Sequence, residues 1–395
     1  MKKRVLSILV CVIILITTTV LFAGCSTPTT GSSSTTGSTT SAATTEPTIE
    51  LQNYTIGVML YDYTGLDGRE IEKYTKYLEK EFGVTFILGA SGFDDAANVT
   101  AVESLITQGC DAIISYAASP IKQMVEKCAE NEVYFATFGT EVTQGLEDVK
   151  DNPYYAGAIA ASSKDPAAQG KAAAAAAFAA GCKVFGATSF PGEIFPGPFA
   201  AAQAFLANGT AGGGTALPPL VHMFDNVQGE ISNYMTSNPT VDTIYGAADG
   251  MNFVYPVIVS LGKTETIKFC SGGIGLTGTR EAFEDGSLIY ASTPSQSCFA
   301  LSFAMLYNKL AGVAYPDAVS VENNYTYQID MATVADFDLY EKYVVGDYVA
   351  GDAKPPITAE TLKTVMVTFN KDATYADLLA LADKTSLQDI ADRNK

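Results

Sequence analysis

The chain has 395 residues and a net charge of −19, from 24 Lys and Arg against 43 Asp and Glu. A surface this acidic repels phosphate backbones, so nucleic acid is not an expected partner. The length exceeds what one core usually holds, so two lobes are expected.

At the N-terminus, Lys2, Lys3 and Arg4 precede an apolar stretch from Val5 to Phe22, the pattern of an export signal. LFAGC, Leu21 to Cys25, resembles the bacterial lipobox, which implies cleavage before Cys25 and a lipid on its thiol. Residues 1–24 are therefore expected to be a lipoprotein signal peptide, with an uncleaved spanning helix as the alternative, since the apolar stretch is near the lower length limit. Residues 25–50 are nearly all Ser, Thr, Gly, Ala and Pro, too poor in apolar groups to offset the entropy of ordering. They are expected to be a flexible tether that holds the rest on the extracytoplasmic face of the cell membrane.

Strands are predicted at Tyr54–Leu60, Val84–Leu88, Asp111–Tyr116 and Val133–Phe138, separated by segments of helical period. In REIEKYTKYLEKEF the apolar Ile71, Tyr74, Leu78 and Phe82 step by three and four, and Gly83 stands where a C-terminal cap belongs. The rhythm then repeats. A helix ends at Gly181, and strands at Lys183–Thr188, Leu220–Phe224, Thr243–Gly246, Thr266–Cys270 and Leu288–Ser292 alternate with helices near Phe199–Ala207, Glu230–Thr236, Met251–Leu261 and Thr279–Asp285. A long apolar helix follows at about Cys298–Leu310. This alternation predicts an α/β fold of two doubly wound parallel-sheet lobes, whose ligand edge lies outside the carboxyl ends of the strands. CDAIISYAAS and VDTIYGAADG share Asp-x-Ile followed by Ala-Ala, an internal echo that puts Tyr116 and Asp249 at corresponding strand ends.

Few side chains suggest chemistry of their own. His222, in PLVHMFDN, is the single histidine and is read as a satisfied structural residue. Cys110, Cys128, Cys182, Cys270 and Cys298 are odd in number, widely spaced and mostly in apolar runs, so they read as buried thiols rather than a disulfide framework or a metal cluster.

IGVMLYDYTG, FDDAANVTAVESLITQGCDAIISYAAS and VDTIYGAADGMNFVYPVIVSLG resemble the type I periplasmic solute-binding proteins, the group of the ribose- and galactose-binding proteins of ABC transporters. The likeness spans roughly Tyr54 to Gly312 and is most specific from Ala96 through Ala118. It implies two lobes joined by three crossings, with a small ligand closed between them. The first lobe would hold residues 51–155 with about 297–330, the second 156–296, and an extension 331–395 would follow with no functional reading. By position, the resemblance puts Tyr61, Asp62, Tyr63, Tyr116, Ser119, Phe138 and Thr140 on the first-lobe wall, and Phe190, Asp249 and Gln296 on the second. Aromatic faces cover sugar-like C–H surface and carboxylates accept hydroxyl or amine protons.

The stretches ATFGTEV and FPGPFAAAQAF carry no arginine where the family's sugar binders usually have one, and apart from Arg4 only Arg69, Arg280 and Arg393 remain. An uncharged or cationic ligand is therefore expected: a sugar or sugar derivative first, a nucleoside or amine second. The expected protein is a monomeric, non-enzymatic lipoprotein without cofactor that delivers its ligand to an ABC permease. A tethered sensor that signals to a receptor fits the same residues. So does, more remotely, a nicotinamide-dependent oxidoreductase, because Gly273-Ile274-Gly275-Leu276-Thr277-Gly278 matches the dinucleotide fingerprint. That fingerprint needs an acid at the end of the next strand, which here reads IYASTP.

Overall fold

The computed structural model describes residues 51–395 except Asp62, Phe93, Lys164, Phe224, Leu276, 295–296, 318–322, Tyr327 and Thr385. The expected signal, tether and lipid site at Cys25 lie outside the described residues, as do Asp62 and Gln296.

The first lobe begins with β1 (Thr55–Leu60), α1 (Leu66–Phe82), β2 (Thr85–Ala90), α2 (Asp95–Thr107), β3 (Ala112–Ser115), α3 (Ile121–Glu130), β4 (Tyr134–Gly139), α4 (Leu146–Val149) and β5 (Tyr155–Ser163). The stripe read from the sequence is the face that α1 buries: Ile71, Tyr74, Leu78 and Phe82 are all in the core. Gly83 ends the helix in the left-handed region, φ 67°, and donates its N–H to the Glu79 carbonyl. β1 is apolar throughout because it is central, paired in parallel with β2 on one side and β3 on the other.

The second lobe runs α5 (Pro166–Ala179), β6 (Val184–Ser189), α6 (Pro196–Ala211), β7 (Thr215–Ala216), β8 (Leu220–Val221), α7 (Val227–Ser237), β9 (Thr243–Gly246), α8 (Gly250–Phe253), α9 (Tyr255–Ser260), β10 (Lys268–Gly272), α10 (Thr279–Glu284) and β11 (Leu288–Pro294). One helix was expected over Met251–Leu261, but two short ones form. Pro256 has no N–H to give and restricts the residue before it, so the chain breaks at Val254 and restarts with proline in the first turn of α9.

The remainder comprises α11 (Ser297–Leu310), β12 (Asn323–Thr326), β13 (Gln328–Met331), α12 (Val334–Tyr343), α13 (Ala359–Thr364), α14 (Tyr375–Ala380), a 3₁₀ turn (Leu381–Lys384) and α15 (Leu387–Arg393). The first sheet has the order β12-β5-β4-β3-β1-β2 and is parallel throughout. The second has the order β13-β11-β10-β9-β6-β7, with β8 on the far end of β6 and β13 antiparallel to β11. The chain thus passes between the sheets after β5, after β11 and again between β12 and β13. The lobe boundary expected at 155 falls inside β5, and β13 belongs to the second sheet.

After β13 the chain does not leave the molecule. The α12 helix opens with a capping box of Thr333 and Asp336, and the segment beyond it packs on α1 and α11 of the first lobe. Phe82 sits at the centre of that packing, its ring 5.0 Å from Phe303, 5.6 Å from Tyr307 and 5.7 Å from Phe369 of the extension. Phe82→Ala would open a cavity among rings that cannot collapse together, and is expected to lower the unfolding free energy by about 3–5 kcal/mol. Urea titration should show a lower midpoint at unchanged slope.

Candidate ligand cleft

The first-lobe wall is built from strand ends. Tyr61 follows β1 and Tyr116 follows β3, and their rings meet edge to face with centroids 5.5 Å apart. Tyr116 in turn stands edge-on to Phe138 at 5.4 Å, and Phe138 to Phe299 of α11 at 5.4 Å. Gly139, at φ 81°, makes room for this stack, since a Cβ there would lie 2.3 Å from the Tyr116 ring. Tyr61 and Tyr116 are half-buried, while Phe138 is wholly enclosed and supports the wall from behind.

The other first-lobe candidates are placed differently. The Tyr63 hydroxyl lies 2.8 Å from the Val58 carbonyl and 3.1 Å from that of Gly89, which ties the loop to the ends of β1 and β2. Ser119 is exposed and donates its Oγ to Asp95 at 2.9 Å, while its carbonyl accepts from the buried Asn98 amide at 2.8 Å. Thr140 is half-buried just past Gly139.

On the second lobe, Asp249 follows β9 in a left-handed conformation, φ 49° and ψ 43°, uncommon for a residue with a side chain. Its two oxygens accept from the Asn252 amide at 2.9 and 3.0 Å. The glycine-rich stretch after β10 folds over it: Gly273, at φ 95°, approaches so closely that a Cβ would lie 3.0 Å from the Asp249 Cα. These glycines therefore serve close packing on Asp249 and Asn252, and α10 behind them is only six residues long. Phe190 is buried in a ring cluster with His222 at 4.4 Å, Phe195 at 5.5 Å and Phe253 at 5.7 Å. His222 is 2% exposed, and burial lowers its pKa. Its Nδ1 has no partner among the described residues, so the histidine is structural without being fully satisfied.

Tyr116 senses carboxylates of both lobes. Burial pushes the Tyr116 phenol upward first, and the Asp67 carboxylate, the ionised forms of Cys298 and Tyr61, and the Asp249 carboxylate add to it. Asp249 belongs to the second lobe, so a carboxylate there acts on a phenol of the first. Asp67, in the first turn of α1, is not among the residues the family resemblance points to; its sequence signal is a carboxylate directly after the YDYTG loop, at a helix start. The arginines serve other sites: Arg280 pairs with Asp338 and Glu341, Arg393 donates to the Pro356 carbonyl at 2.6 Å, and Arg69 is exposed on α1. Cys110, Cys128, Cys182, Cys270 and Cys298 are buried and unpaired. Among the described residues no group of His, Cys, Asp and Glu is placed to hold a metal, and no helix is long and apolar enough to cross a membrane.

No protein-family model matches the chain, and no curated protein matches it in sequence. Solved structures match it in fold. An ABC transporter solute-binding protein from Agrobacterium vitis bound with α-D-tagatopyranose is 16% identical, covering 72% of this chain and 96% of its own at a TM-score of 0.56. The 5-methylthioribose transporter solute-binding protein from Thermotoga lettingae, in complex with 5-methylthioribose, is 15% identical over 84% and 97%, with a TM-score of 0.54. A fructose-binding periplasmic domain of a hybrid two-component system is 16% identical over 76% and 96%, with a TM-score of 0.56. The chain has the fold of the type I periplasmic solute-binding proteins, two doubly wound parallel-sheet lobes.

Burial raises the Asp249 carboxyl above its ordinary value, and the Asn252 amide draws it partly back. A group raised in the folded state gives its full stability below the unfolded pKa and loses it as pH rises through the folded one. Asp249→Asn is therefore expected to raise Tm at pH 7 by about 1–2 °C. The advantage should vanish near about pH 3, where the wild-type carboxyl is itself protonated. A lower Tm at pH 7 would mean that the Asn252 contact requires the charge.

Proposed function

We propose that this chain is an extracytoplasmic solute-binding lipoprotein that closes its two lobes on a small polar ligand, a sugar or sugar derivative first, and delivers it to an ABC permease. What supports this reading is the pair of half-buried phenols, Tyr61 and Tyr116, at the strand ends of one sheet together with the Asp249 carboxylate after a strand of the other, whose charge bears on Tyr116. Half-exposed rings offer faces to C–H surface, and carboxylates accept hydroxyl or amine protons. The sugar ligands of the structural neighbours point the same way. Asp62 and Gln296 remain candidates by their place in the sequence, while Phe138, Phe190 and Tyr63 act as supports behind the wall.

Capture rather than turnover is the expected activity. A second reading, a tethered sensor, is favoured by the neighbour that belongs to a two-component system, since either partner would read the same closure. Neighbouring genes for a permease and an ATPase, or for a receptor kinase, separate the two.

A thermal-shift panel of sugars, amino sugars, nucleosides, amines and organic acids tests the ligand class, because a ligand that binds only the folded state raises Tm by mass action. Neutral or cationic polar compounds are expected to stabilise, and stabilisation by organic acids alone would refute the reading. With the best compound, Asp249→Asn should weaken binding by about one to two orders of magnitude, the loss of a hydrogen bond to a charged group. Unchanged affinity by calorimetry would remove Asp249 from the site.

A further inference from the structure

The C-terminal segment makes a fourth passage between the lobes, and we propose that the contact of α12 with α10 is a latch that holds the two walls together and releases when they part. This rests on the reading of the protein as a two-lobed binder that opens and closes.

The α12 helix is joined to both lobes. Its start hangs from β13 of the second sheet by the exposed link Ala332–Thr333. Its end runs into Val344 and Val345, which are buried against the first lobe, and Lys73 of α1 donates to the Val345 carbonyl at 2.6 Å. The buried Tyr340 places its hydroxyl 3.4 Å from a Glu70 carboxylate oxygen, again on α1. Beyond it the chain stays on the first lobe: Tyr74 donates to the Ile357 carbonyl at 2.7 Å, Tyr77 accepts from the Ala359 N–H at 2.8 Å, and Tyr348 packs on both tyrosine rings at 6.1 Å.

The attachment to the second lobe is of another kind. Arg280 of α10 pairs with Asp338 and, at 2.8 Å, with Glu341, all three exposed or nearly so. The Arg280 guanidinium also lies 5.7 Å from the Phe337 ring centre, and Phe337 meets Phe283 with centroids 6.4 Å apart. Any rotation of the lobes has to be absorbed at one end of α12. On the first-lobe side this would unpack the buried Tyr340, Val344, Val345 and Tyr348; on the second it would break the exposed ion pairs and part a single buried ring contact, Phe283 with Phe337. Exposed pairs are weak and salt-screened, so this side yields. The helix therefore stays with α1, slides off α10 and pivots at Ala332–Thr333.

The test uses the full chain without ligand, by small-angle scattering and hydrogen exchange. Raising salt from about 20 mM to about 500 mM should enlarge the radius of gyration and speed exchange in 334–343 by about two- to fivefold, the range exposed ion pairs carry. Arg280→Glu should do the same at low salt, and the reversal Arg280→Glu with Asp338→Arg and Glu341→Arg should restore the compact, slow-exchanging state. If Arg280→Glu fails to fold, Asp338→Asn with Glu341→Gln removes the same pairs at exposed positions and carries the same expectation. Faster exchange without enlargement would overturn the latch in favour of local fraying, and so would no change in either measurement. A thermal-shift panel without a hit would sink the binding reading and leave the scattering result standing, so the two failures are distinguishable.

Discussion

The structure depends on one constraint of parallel pairing: a parallel strand must be re-entered from the same end, so every connection has to cross the sheet's face. The helices α1 to α3 are those connections in the first lobe, and together with α11, which packs on β3, β4 and β5, they bury both faces of the sheet's centre. With both faces covered, polar chemistry is driven to the strand ends, and all carboxyl ends lie along one edge. Tyr61 and Tyr116 on one sheet, and Asp249 on the other, occupy that edge for the same geometric reason. The placement of these candidate residues is thus a consequence of the winding.

The second determinant is the demand of irregular backbone for partners. Beyond β13 the chain forms only short helices with long connections between them, yet it is packed against the first lobe, where unpaired carbonyls and N–H groups would be costly. Tyrosine meets this demand, combining a large apolar ring with one hydroxyl. Tyr74 donates to Ile357, Tyr315 to Val365 at 3.1 Å and Tyr54 to Leu310 at 3.0 Å, all to backbone carbonyls. Tyr63 does the same at the strand ends. Of the 21 tyrosines, those with such bonds serve the frame, which is why an aromatic-rich sequence cannot be read directly as an aromatic-rich cleft.

This difference marks what was legible. Long periodic elements mostly were: the Ile71–Phe82 stripe and the strands predicted through Ser292 follow from burial patterns that the sequence carries locally, whereas the nine-residue β5 and the two-residue β7 were not among the predicted strands. The extension was not. The two strands that lead into it have four residues each, its helices have ten or fewer, and its α12 and α14 starts use Asp336 and Asp377 where a capping-box search looks for Glu or Gln. Side-chain direction at a strand end was also beyond reach. Phe138 and Phe190 sit at the right edge but turn inward, because one-residue steps alternate between faces and the adjoining helices supply rings to meet them. Asp67 was missed for the converse reason: it lies on a helix, and only the fold shows that the helix starts at the cleft.

The charges of the cleft complete the argument. Asp249 and Asp67 both act on Tyr116, so two carboxylates from opposite lobes bear on one phenol. A tyrosine phenol is neutral at physiological pH even unperturbed, burial and these charges push its titration further up, and a neutral phenol can donate a hydrogen bond. Among the described residues the arginine partners of a bound anion are absent from this region, since Arg280 and Arg393 are engaged elsewhere and Arg69 faces solvent. An anion beside these carboxylates would meet like charge with no arginine fork to hold it, which is the physical basis for proposing a ligand that carries hydroxyl or ammonium groups. On the proposed reading, selectivity would be partly one of rejection, and it would strengthen on lobe closure, because the same charges would then act through a lower dielectric.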